Sequence, residues 1–259
     1  MKDKLFICAE NGEKRMDADT ISKNGCSSKN HKSRVNIFSI LFLGVSLVVA
    51  GFIFSGCDKD EEETLVASPF DGVITAKVDK GETYSTVKRV RAYGMTNQGV
   101  EVTVAQAAYT NGGFTLTLPA TPPNQIINSV MYDFDGPGIK ISDEDARIAI
   151  LADEIEGYST TDGAFNYNTL VCSFAEFKGT ESNFTYVGYA WVDRDVTIIG
   201  SARDSEDGVT WEWKARMMLK EGWNRVYITV RETKNSDFIE LSTIPVGGLK
   251  WVNVDEYLD

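Results

Sequence analysis

The sequence predicts an all-β protein, an antiparallel β-sandwich of about ten strands. Three observations lead there. From Gly72 onward apolar and polar residues alternate in short runs, the runs are separated by turns rich in Gly, Pro, Asn and Asp, and the three-to-four spacing of an amphipathic helix is nearly missing.

The elements follow in order. Segments 73–78 and 87–93 read as strands separated by Asp79-Lys80-Gly81. Val100, Val102 and Val104 then alternate with Glu101 and Thr103, and Phe114, Leu116 and Leu118 alternate with Thr115 and Thr117. Each of these two runs has one dry and one wet face. Asn111-Gly112-Gly113 between them is a turn signal that predicts a hairpin, and Pro119 closes the second strand. Residues 71–120 are therefore the N-terminal strands.

Segment 121–145 breaks the rhythm with Pro122-Pro123 and Asp135-Gly136-Pro137-Gly138, and reads as a long connection with about one helical turn. The C-terminal β-rich part, 146–259, resumes with strands at 146–151, 170–177, 185–192, 196–200, 211–219 and 223–231. Asp207-Gly208 and Lys220-Glu221-Gly222 are expected to link the last three as a meander. A weak final strand carries Leu249, Trp251 and Val252. One domain or two small packed sandwich halves both fit this pattern.

Ahead of the strands lies an apolar run at 37–56, preceded by Lys29, Lys32 and Arg34 and ending in Phe54-Ser55-Gly56-Cys57. Basic residues, an apolar core and small residues before polar chain are the layout of a secretory signal. With Cys57 at its end, the run resembles a bacterial lipoprotein signal, although Phe54 stands where that signal usually has an aliphatic residue. The resemblance implies removal of 1–56, fatty acyl chains such as palmitate on Cys57, and an acidic tether over 57–70. A transmembrane helix is the competing reading, since about twenty apolar residues span a bilayer. Met16 offers an internal start that would shorten the stretch before the apolar core. Lys59-Asp60-Glu61, inside the acidic run, resembles the export signal that carries Bacteroidetes lipoproteins to the cell surface. The expected location is thus the outer membrane, lipid-anchored and facing the cell exterior.

The strands carry a second resemblance. Segments 72–78, 90–93 and 111–119 are similar to the opening strands of transthyretin-like or immunoglobulin-like modules in Bacteroidetes lipoproteins. Segments 191–200 and 219–224 are similar to a family of small gut-Bacteroides lipoproteins without an assigned activity. These likenesses bear on fold and location, and none contains a catalytic motif.

Charge and composition exclude several classes. Of 26 basic and 38 acidic residues, eight and five fall within 1–57, so the chain from residue 58 keeps 18 and 33 and a formal charge of −15. Nucleic acid is not an expected partner of so acidic a chain. The single histidine, His31, lies in the expected signal, and beyond Cys57 the one cysteine is Cys172. Catalysis by a Ser/His or Cys/His pair then lacks its base, and the usual zinc sites lack their ligands. Cys172, between Leu170 and Phe174, reads as a small buried hydrophobe. No cofactor motif is present.

Asp133-Phe134-Asp135-Gly136 opens like a calcium loop, but the next ligand position is Pro137, and a solvated turn fits better. Asp204-Ser205-Glu206-Asp207-Gly208 reads as a polar hairpin tip. Asp193 and Asp195 flank Arg194 and would share one face of a strand. With Glu154 and Glu156 they supply the carboxylates for the alternative reading, a glycoside hydrolase-like enzyme. The aromatic residues favour a different function. Trp191, Trp211, Trp213 and Trp223, with Tyr189, crowd the second half, and indoles in a row on a strand face can stack on sugar rings or bury as core. The expected function is a surface-anchored binding or scaffold module for a glycan or protein partner, with no catalysis.

Overall fold

The computed structural model describes residues 65–257 apart from 135, 181, 207 and 208. The apolar run, Cys57 and Lys59-Asp60-Glu61 lie outside the described residues. The chain forms β1 (Val73–Lys77), β2 (Arg89–Met95), β3 (Glu101–Ala108), β4 (Gly113–Thr117), β5 (Asn128–Ser129), the short helix α1 (Val130–Phe134) and β6 (Ile139–Ile141). There follow β7 (Arg147–Ile150), β8 (Ile155–Tyr158), β9 (Leu170–Thr180), β10 (Asn183–Val192), β11 (Val196–Glu206) and β12 (Val209–Leu219). The chain continues as β13 (Gly222–Glu232), β14 (Ser236–Ser242), β15 (Lys250–Asn253) and α2 (Val254–Tyr257). Among the described residues no helix is long and apolar enough to cross a membrane.

The fold is all-β and sandwich-like. β1 and β4 pair antiparallel as a small sheet, with Ile74 opposite Leu116 and Ala76 opposite Phe114. Among the described residues the other 13 strands form one open sheet in the order β3-β2-β8-β9-β10-β13-β14-β12-β11-β6, with β15 beside β9, β7 beside β10 and β5 beside β7. Residues 71–120 thus supply strands to both sheets, because β2 reaches the large sheet through β8.

Two cores lie on opposite faces of β10. Val187, Tyr189 and Trp191 face a core shared with Ile74, Phe114 and Leu116 of the small sheet. Phe184, Tyr186, Ala190 and Val192 face a second core with Ile198, Ala215 and Met217. A strand dry on both faces must be apolar throughout, which is why 184–192 reads as a nearly continuous apolar run.

The predicted hairpin at 111–113 is corrected in one respect. Its turn forms: Asn111 (φ 52°) and Gly112 (φ 75°) are both left-handed, and Thr110 and Gly113 exchange N–H···O bonds of 2.9 and 3.0 Å, the geometry of a type I′ turn. Yet β3 pairs with β2 and β4 with β1, so the turn hands the chain from one sheet to the other. Strands on the two sides of this turn bury their apolar residues against each other instead of pairing edge to edge. Space for this is tight, since a Cβ on Gly81 would stand 2.2 Å from the Gly112 carbonyl oxygen.

The predicted meander is also corrected. β11 and β12 pair antiparallel, but β14 inserts between β12 and β13, parallel to the former and antiparallel to the latter. Thr233 closes the β13–β14 turn, its N–H donating to the Ser236 carbonyl (2.8 Å) and its Oγ1 accepting from the Ser236 N–H (2.9 Å). Ile239 and Leu241 of β14 then extend the second core. The 220–222 link instead bridges non-adjacent strands and is fixed by fully buried Asn224, which accepts from the Lys220 N–H (2.9 Å) and donates to its carbonyl (2.7 Å).

At the free edge of the large sheet, β3 is bulged. Ala105 opposes Ala92 and Thr103 opposes Tyr93, leaving Val104 without an opposite residue. A bulge bends an edge strand away from further pairing, and the other edge, β6, is only three residues long.

Candidate functional site

Of the aromatic residues expected to bind, three are structural. Trp191 and Trp223 are register partners on β10 and β13, and both are buried with Tyr189 in the first core. Their indole N–H groups donate to the carbonyls of Ala120 (3.0 Å) and Pro119 (2.7 Å), fixing the chain that leaves β4. The Tyr189 ring packs 5.2 Å from Phe70. Core packing at these positions leaves no platform for a ligand.

Trp211 and Trp213 differ. Both lie on the face of β12 that carries Ala215, Met217 and Leu219 into the second core, as alternation requires. Trp213 is half-buried at the rim of that core, where Gly136 lets the chain after α1 lie against it: a Cβ there would be 3.1 Å from the indole. Trp211, two residues on, passes beyond the rim and is 41% exposed, the one exposed tryptophan of the five. The register places Asp204 of β11 on one side of Trp211 and Asp237 of β14 on the other. The next row inward is apolar, with Ala202 and Ile239 flanking Trp213.

The carboxylates of the hydrolase reading serve other purposes. Asp193 and Asp195 sit in the bend between β10 and β11 instead of on a strand. Asp193 accepts the Arg147 N–H (2.9 Å) and the Arg194 guanidinium (3.1 Å). Burial would raise its carboxyl, but these hydrogen bonds outweigh burial and hold it below the usual range. Asp195 accepts from Lys220 Nζ (2.6 Å) and the Glu221 N–H (3.0 Å), and the lysine holds it below the usual range. Each clamps a different neighbouring turn. Glu154 is half-buried, and Glu156 is buried in an ion pair with Arg91.

That ion pair is one of two features the sequence did not disclose. Arg91 reaches Glu156 at 2.6 Å and also pairs with Glu101, while the Tyr158 hydroxyl donates to Glu156 at 2.5 Å. The rings of Tyr93, Tyr158 and Phe165 surround the guanidinium at 4.8, 5.3 and 5.5 Å. Burial would lower the Arg91 pKa, but the Glu156 charge and the hydrogen bonds to Glu156 and Glu101 outweigh it and hold the group above its ordinary value. The second feature is a pocket of about 250 Å³ lined by Tyr84, Tyr109, Lys88, Glu82 and Asn111. Burial pushes Tyr84 up to about 12, aided by Glu256, which accepts its hydroxyl at 2.9 Å. The signal for Arg91 was its place between Val90 and Ala92, on the strand face opposite theirs. The pocket needs the 81–88 and 109–112 turns together, which no local pattern reveals.

Asp135 of the calcium-like loop lies outside the described residues. Asp133 is half-buried, its Oδ1 is buried without a hydrogen bond, and burial raises its carboxyl to about 7. A carboxyl so placed favours its proton. Among the described residues no three His, Cys, Asp or Glu side chains are grouped to hold a metal. Comparison with protein-family models, with curated proteins and with solved structures returns no match.

Proposed function

We propose that this chain is a lipid-anchored module of the outer membrane, facing the cell exterior, that binds a glycan or protein partner through the Trp211 face without catalysis. The address rests on the apolar run before Cys57 and the acidic tether after it. The function rests on Trp211. An indole on a regular strand, 41% exposed where the other four tryptophans are more deeply buried, offers a large, rigid contact surface of the kind concentrated at binding sites.

The test is a pair of arrays, one of glycans and one of surface-displayed peptides, probed with the full chain and with Trp211→Ala. Binding that disappears with the indole supports the reading. Binding equal in both proteins, or none on either array, overturns it.

A further inference from the structure

We infer that the Trp211 face receives an arginine or lysine side chain from a protein partner, an inference that rests on the binding reading of Trp211. The observation is the row across β11, β12 and β14. Asp204, Trp211 and Asp237 are neighbours by register on three adjacent strands, and register partners project from the same face. Adjacent strands lie about 4.8 Å apart, so the backbones that carry the two aspartates stand about 10 Å apart with that of Trp211 between them. Neither aspartate is ion-paired among the described residues.

A cation over an indole is drawn by the ring quadrupole. Here it would also meet a carboxylate on either side, and ammonium and guanidinium groups, which only donate hydrogen bonds, match carboxylates, which only accept them. The row beneath, Ala202, Trp213 and Ile239, is apolar, and the chain at Gly136 already lies against Trp213 and Ala202, so the rim itself, Trp211 with its two flanking aspartates, is what an incoming cation meets. The opposite face of the same sheet already makes this kind of contact internally, between β13 and β14, with the Arg231 guanidinium 5.1 Å from the Phe238 ring centre. On the Trp211 face the acids and the ring are present, and among the described residues no cation is paired with them. The chain's negative charge steers a basic segment toward it.

The test measures fluorescence anisotropy of a labelled deca-arginine peptide with the full chain, at low and physiological salt. A deca-glutamate peptide and a neutral cello-oligosaccharide serve as the other probes. Trp211→Ala and the pair Asp204→Asn/Asp237→Asn should each weaken deca-arginine binding about tenfold or more. The charge-matched pair Asp79→Asn/Asp145→Asn, at exposed acids elsewhere, should change it little. Equal loss in both double variants would mean diffuse attraction to an acidic protein and would overturn the inference. Oligosaccharide binding that needs Trp211 but survives the loss of Asp204 and Asp237 would also overturn it, while leaving the binding reading intact. No Trp211-dependent binding of any probe would overturn this inference, with the arrays above left to decide the broader reading.

Discussion

Arg91 and Glu156 stand opposite each other on β2 and β8, and their 2.6 Å contact joins two side chains each more than nine-tenths buried. The pair lies on the face of the sheet away from the small β1–β4 sheet, beneath Phe165 of the 159–169 segment. Removing one partner leaves the other charge buried, which costs far more than the pair contributes. Arg91→Met or Glu156→Leu should each lose about 3 to 5 kcal/mol. The double variant should lose less than the sum of the two, since the only charge then left without its partner is Glu101, which is partly open to water. Urea denaturation of the four proteins measures this, and additive losses would mean that the two groups are not coupled.

Phe114 and Thr115 are consecutive residues on β4 with opposite fates. Phe114 is 4% exposed and packs edge-on to Trp251 at 5.3 Å, whereas Thr115 faces water. Phe114→Ala should cost about 3 to 5 kcal/mol, and Thr115→Ala less than about 1 kcal/mol. Denaturant midpoints decide the matter, and equal costs would contradict the strand faces.

The alternation that assigns those faces was legible in the sequence because it is local. Alternating or continuously apolar runs between turn residues locate β1 to β4, β7, β9 to β13 and β15, and alternation places Trp211 and Trp213 on one face. Pairing partners were not legible. Asn111-Gly112 specifies a tight turn, but which sheet receives β4 depends on what Phe114 and Leu116 can bury against, a tertiary question. β14 was missed because Ser236-Asp237-Phe238-Ile239-Glu240 has weak alternation and gains its place from neighbours on both sides. Burial of Trp191 and Trp223 against exposure of Trp211 likewise depends on where the core ends along each strand. No residue pattern encodes that limit.

The proposed lipid anchor makes a prediction of its own. Membrane-extracted protein should carry an acylated N-terminal Cys57, detectable by mass spectrometry as the first residue of the mature chain. Protease added to intact cells should remove the described residues, and replacing Lys59, Asp60 and Glu61 should protect them. An uncleaved chain retaining 37–56 would favour the transmembrane reading instead.

Cys172 offers a test of packing. It is 3% exposed between the sheets, and burial pushes its thiol up to about 12, with Glu256 adding to the effect. Thiolate is the reactive form, so the native protein should resist iodoacetamide at pH 8 and react fully once denatured. Rapid alkylation of the native protein would show that the region around Phe174 and Gly157 opens readily.

Asp133 predicts how stability should vary with pH. Burial raises its carboxyl from 3.8 to about 7 in the fold, while the unfolded chain keeps the ordinary value. Between those values the native state holds a proton that the unfolded state has lost, so raising the pH favours unfolding. Relative to Asp133→Asn, which has no proton to lose, wild type should become less stable as pH rises from about 4 to about 7 and change no further above that. Groups common to both proteins cancel in the difference. Urea denaturation of the two proteins across this range gives the curve. A difference that stays flat, or that grows in favour of wild type with rising pH, would show that the Asp133 carboxylate is solvated or paired in the native state.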